Sequence, residues 1–193
     1  MRFRDCFTID LYARSNRRFG AGALLRKLIF NCGYRVVVYY RIATYLGKVR
    51  FPRRLAALMG SLILVRLCRV PGVEIRMKDE IGAGILMYHP HDIVLGVGCR
   101  IGRNVTIYNG VTLGARTLKT IDENKEVGGR YPVIENGVTI FAGAKIIGPV
   151  TIGENSIVGT NSVVNRSFPA NSVIAGSPGR VVGERGGTGT DMS

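Results

Sequence analysis

Residues 134–163 read IENGVT IFAGAK IIGPVT IGENSI VGTNSV, five hexads that each begin on an aliphatic residue. Small or polar residues fill most of the next three places, and the fifth is small or branched. A helix of 3.6 residues per turn would scatter Ile134, Ile140 and Ile146 around its surface, and a simple alternating strand has no reason to repeat every six residues. A short strand that turns a corner every six residues accounts for the pattern. The aliphatics stack into an interior ladder, while glycines and asparagines supply the backbone angles at the corners.

The same period runs upstream through IGAGIL, IGRNVT and IYNGVT, which begin at Ile81, Ile101 and Ile107. Aliphatic residues, with one Met, stand in phase at 75, 81, 87 and 93, at 101, 107 and 113, and at 134, 140, 146, 152, 158 and 164. Each phase break reads as an insertion. A β-sandwich of short strands is the competing architecture, and eight hexads in three phased blocks argue against it.

Composition sets the surroundings of this repeat. With 193 residues and 46% apolar content the chain has enough for a packed core, which excludes wholesale disorder. The four cysteines, Cys6, Cys32, Cys68 and Cys99, form no C-x-x-C pair, and charged residues interrupt the N-terminus before any signal-peptide core, so reduced thiols in a cytoplasmic protein are expected.

Charge is unevenly spread. Residues 1–78 hold 17 Lys and Arg against three acids, whereas residues 79–193 hold ten of each; ten of the fifteen aromatics lie between Phe3 and Phe51. In that first segment basic residues alternate with apolar runs such as YRVVVYYRIATYL, a pattern expected of helices with one apolar and one cationic face. No run reaches the roughly 18 uninterrupted apolar residues that span a bilayer. Two readings stay open for it, a helical cap with a solvated basic face and a peripheral contact with an anionic membrane surface. No nucleic-acid motif is present, and nucleic acid is not expected as a partner.

Both histidines fall in YHPHDIV, residues 88–94. A metal pair, a single base and a polar turn are the three alternatives. His-x-His can chelate zinc, but the stretch offers no third ligand beyond Asp92 and the cysteines are scattered, so no metal is expected.

Taken together, GVEIRMKDEIGAGILMYHP, IYNGVTLGA, GGRYPVIENGVTIFAGAKIIGPVTIG and VIAGSPGRVV resemble, in the same order, the hexapeptide-repeat acyltransferases. Within these the chain is similar to serine acetyltransferases and, more closely still, to the O-acetyltransferases of bacterial polysaccharide synthesis. The resemblance implies a mainly β fold, a left-handed parallel β-helix over residues 72–182 with a loop at 115–132, assembled as a homotrimer. An α-helical segment at 1–71 precedes it, and a flexible tail at 183–193 follows.

The resemblance also implies acetyl-CoA as donor and assigns roles. His89 stands where such enzymes carry the general base that takes a proton from the acceptor hydroxyl, a task imidazole suits because it titrates near working pH. Glu74 matches the acid that orients it. Gly114, Ala115, Ala142, Gly143, Ala144, Lys145, Gly159 and Thr160 match positions along the CoA arm, where small residues let the ligand lie against backbone; Lys145 and Arg180 are candidates for its phosphates. Tyr88, His91, Asp92, Arg130 and Tyr131 fall at acceptor positions. Two of these depart from serine acetyltransferases, which have aspartate at Tyr88 and histidine at Tyr131. Aromatic residues at both places suit stacking on a sugar ring. The sequence reading therefore expects transfer to a sugar hydroxyl of a polysaccharide, lipid-linked oligosaccharide or precursor, with serine O-acetylation and a non-catalytic membrane-bound scaffold as alternatives.

Overall fold

The computed structural model describes residues 9–10, 30–48, 72–75, 80–116 and 130–186. Most of the basic first segment lies outside these residues, as do the central part of the 115–132 loop and the end of the tail. The membrane contact expected of the basic segment falls largely on that undescribed part. No described helix is long and apolar enough to cross a membrane.

The first thirteen strands, each of two or three residues, alternate with corners, and from the fourth on each pairs with the strand three before it. One sheet stacks β1 (Val73–Glu74), β4 (Ile93–Leu95), β7 (Thr112–Gly114), β10 (Lys145–Ile147) and β13 (Val163–Val164). A second stacks β2 (Glu80–Ile81), β5 (Arg100–Ile101), β8 (Val133–Ile134) and β11 (Thr151–Ile152). The third contains β3 (Leu86–Met87), β6 (Thr106–Ile107), β9 (Thr139–Ile140), β12 (Ile157–Val158) and β14 (Ser172–Ala175), and ends in β15 (Arg180–Glu184). All pairs are parallel except β14 with β15, which is antiparallel. β15 runs into the stretch expected to be a free tail.

The interior is the aliphatic ladder. Ile107, Ile140, Ile146, Ile152, Val158 and Val164 are all fully buried. At the corners sit residues with positive φ, among them Gly84, Asn104, Gly137, Asn155 and Asn171 along one prism edge. Gly137 (φ 68°) is confined by space as well as by angle, since a Cβ there would lie 2.2 Å from the Asn155 side-chain oxygen.

Register locates the phase breaks. Ile134 pairs with Ile152, so a regular coil takes 18 residues, whereas Ile81 pairs with Ile101, 20 residues on. The two extra residues lie in the corner between β3 and β4. Leu95, not Ile93, pairs with Leu113 and holds the in-phase place. The expected phase at position 93 is thus corrected: both residues are buried, and only hydrogen-bond register separates them. The insertion is the histidine-bearing corner itself.

Helix α1 (Cys32–Lys48) packs on β3. Asn31 caps it, its side-chain oxygen accepting from Tyr34 N at 2.9 Å. The helix comes so near β3 that a Cβ on Gly33 would sit 1.9 Å from the Met87 carbonyl oxygen. Arg41 does not face solvent as an amphipathic basic helix would have it: at 6% exposure it forms a 2.7 Å ion pair with Asp10 and donates to the Ile81 and Gly82 carbonyls.

Candidate active site

The widened corner carries His89 in the left-handed region (φ 47°), uncommon for a residue that is neither Gly nor Asn and frequent at functional positions. Its carbonyl accepts from His91 N at 2.8 Å, tightening the turn. His89 lines a cavity of about 430 Å³ between α1 and the first coil, together with Asp10, Asn31, Cys32, Tyr34 and Tyr88.

Asp10 is the one carboxylate on that wall among the described residues. Its two oxygens accept from Arg41 Nε and, at 2.6 Å, from Gly84 N, so the pair fixes the N-terminal segment to the coil bearing His89. Sequence reasoning missed both residues. Asp10 lies 79 positions before His89, outside the repeat, and nothing local marks it.

The two histidines take different places. His91 is exposed, with Nδ1 3.6 Å from the Asp92 carboxylate, which is exposed as well; neither lines the cavity. Among the described residues, no three His, Cys, Asp or Glu side chains are grouped to hold a metal ion.

Glu74 lies on the outside of the first coil, paired in register with Val94, five residues beyond His89. The corners of successive coils stack under the histidine corner: Gly110 N donates to His91 O, Gly143 N to Asn109 O and Asn161 N to Ala142 O, each at 2.9 Å. Ala142, Gly143, Gly159 and Thr160 therefore share one prism edge with His89. Ala144 turns inward and is fully buried. Lys145 ties the edge together, its ammonium donating to Gly110 O at 2.6 Å and to Thr112 Oγ1 at 3.1 Å.

Gly114 and Ala115 stand at the far end of β7, Gly114 facing Ile147. Arg180 is exposed at the start of β15, and Arg130 is exposed beside the loop. Tyr131 is only 7% exposed and its ring lies against Gly96, where a Cβ would come within 2.3 Å of it. Tyr88 instead stacks on Tyr108, with ring centroids 5.0 Å apart.

Residues 131–166 match the family model described as bacterial transferase hexapeptide (six repeats). The serine acetyltransferase of Mycobacterium tuberculosis is 35% identical over 176 residues, 91% of this chain and 71% of that one. The chain belongs to the serine acetyltransferase family.

The serine acetyltransferase of Staphylococcus xylosus is 44% identical over 115 residues, 60% of this chain and 50% of that protein. The chain thus spans about half the length of that relative. Among solved structures, Neisseria gonorrhoeae serine acetyltransferase superposes with a TM-score of 0.76 at 29% identity, covering 96% of this chain and 67% of that one. A serine acetyltransferase in complex with CoA superposes at 0.71 with 32% identity, covering 93% and 69%. These likenesses support the left-handed form of the β-helix. They also correct the expected acceptor: relatives and structural neighbours alike are serine acetyltransferases, and the reading toward polysaccharide enzymes, drawn from Tyr88 and Tyr131, is overturned. Tyr131 packs into the core against Gly96, which removes half of its basis.

Proposed function

We propose that the protein is an acetyl-CoA-dependent serine O-acetyltransferase, working as a homotrimer. The observation that carries this reading is His89, held in a left-handed corner at the wall of a cavity of about 430 Å³, in a chain of the serine acetyltransferase family.

His89 accepts the proton of the serine hydroxyl as the oxygen attacks the thioester carbonyl, forming the new C–O bond and a tetrahedral oxyanion. Collapse breaks the C–S bond. The thiolate of CoA leaves with the proton returned from the imidazolium, so no acyl-enzyme is formed. Asp10, the carboxylate on the cavity wall among the described residues, has both oxygens taken by Arg41 and Gly84 N, so it fixes the wall in place and leaves no free charge for the acceptor. Glu74 is retained as the group proposed to orient His89, and the edge residues from Ala142 to Thr160 as the track of the donor arm. Small side chains along that edge support this, since they leave backbone open to a ligand.

The deciding experiment is thiol release from acetyl-CoA with L-serine, compared with other hydroxyl acceptors, by the purified protein. Saturable turnover dependent on L-serine is expected. Acetyl transfer to other acceptors with none to serine would sink the assignment.

A further inference from the structure

We infer that Asp10 and Arg41 are positioning residues for His89. Together they supply the hydrogen bonds that a preceding coil gives elsewhere along the prism, and that no described strand gives to the coil carrying the base. The inference rests on His89 being that base. On the prism edge that runs through Gly84, each corner N–H donates to a carbonyl in the coil before it. Asn104 N reaches Ala83 O at 2.9 Å, while Gly137 N to Arg103 O, Asn155 N to Asn136 O and Asn171 N to Glu154 O each close at 2.8 Å. Gly84 heads this series. Its N–H meets no earlier corner among the described residues and donates instead to Asp10 Oδ1 at 2.6 Å.

The adjoining strand shows the complementary deficit. Along the second sheet Ile101 O accepts from Gly82 N at 2.7 Å, Ile134 O from Gly102 N at 2.7 Å and Ile152 O from Glu135 N at 3.0 Å, each donor lying one coil earlier. Ile81 is in register with this row, and its strand, β2, is the outermost described strand of the sheet. Its carbonyl accepts from Arg41 Nη1 at 2.6 Å, and Nη2 of the same guanidinium reaches Gly82 O. One side chain thus stands in for the preceding coil's donor and the other for its acceptor. Arg41 Nε binds the second Asp10 oxygen at 2.7 Å, so the two substitutes hold each other in place.

Such a substitute matters most at the end of a stack. A strand paired on one side only opens more readily than one paired on both, and β3, the outermost described strand of the third sheet, leads from the Gly84 corner into Tyr88 and His89. Helix α1, which carries Arg41, packs on that same strand at Gly33 and Met87. A catalytic group misplaced by about 1 Å loses on the order of 10²-fold in rate, so the register of this outermost coil bears directly on turnover.

Two double substitutions in the full-length protein separate the acceptor oxygen from the charge. D10A/R41M and D10N/R41M both remove the ion pair without stranding a buried charge, and only D10N keeps an oxygen for Gly84 N. With L-serine and acetyl-CoA, D10A/R41M is expected to lose about 10- to 100-fold in kcat while the KM for acetyl-CoA stays within about twofold. Its amide hydrogens over residues 82–90 are expected to exchange about tenfold faster, with those over residues 138–165 unchanged; D10N/R41M is expected to recover most of both. Equal activity in the two variants, exchange accelerated in every coil alike, or a change confined to the KM for serine overturns the positioning role. In the unsubstituted protein residues 82–90 are expected to exchange as slowly as the paired corner at 135–138, and rapid exchange there refutes the cap even where neither variant folds. An unsubstituted protein that does not turn over L-serine refutes the serine reading and with it the positioning role, an outcome read apart from the two variants.

Discussion

At the scale of single residues, the proposed base is a histidine placed by an irregularity. Removing the imidazole in H89A takes away the base and leaves the corner, and turnover is expected to drop by about 10²- to 10⁴-fold with an unchanged circular dichroism spectrum. Activity within twofold of the unsubstituted protein would move the base elsewhere. Arg41 makes a different kind of contribution. Its ion pair with Asp10 is buried on both sides, so R41A strands a carboxylate without its partner and is expected to cost about 3 kcal/mol in urea unfolding. A loss below about 1 kcal/mol would mean that the pair is effectively solvated. Neither Arg41 nor Asp10 was legible beforehand, because each reads locally as a surface charge in a basic segment. Their meaning comes from contacts 31 to 74 residues away in the chain.

Elements show where sequence patterns suffice and where they do not. The hexads revealed the strands because each coil buries the same register of aliphatics, so one period encodes strand, corner and core together. The period fails at the first coil, where Ile93 and Leu95 are equally apolar and equally buried, and only pairing decides which is in phase. The likeness of motifs picked out His89 without this knowledge. The structure adds that its corner is two residues longer than those stacked beneath it. Helix α1 depends on an absence of side chain: G33A pushes a methyl group into the Met87 carbonyl. The helix must then move off β3, with an expected loss of about 1–3 kcal/mol in denaturant unfolding and a raised KM for serine, since α1 forms one wall of the cavity. Unchanged stability would show that the helix is free to shift.

For the whole molecule, a mainly β fold with a helix before it was legible in the hexads and the apolar runs, whereas the acceptor was misjudged. Tyr88 and Tyr131 were weighed together as aromatics suited to stacking on a sugar ring, whereas one stacks on Tyr108 outside the prism and the other is packed against Gly96. Residue type alone does not distinguish these fates. The proposed trimer predicts a native mass three times the 21.0 kDa of the chain, measured by light scattering, and a monomer that remains fully active would dissociate the site from assembly. Stacked parallel coils also carry a hazard, because the last rung of such a stack is a template on which another chain's strand can add. On the third sheet β15 occupies that rung and runs the opposite way. A further coil would need a parallel edge in the old register and finds instead an antiparallel strand whose direction breaks the repeat. On this sheet, the reversal ends the parallel register that the repeat propagates.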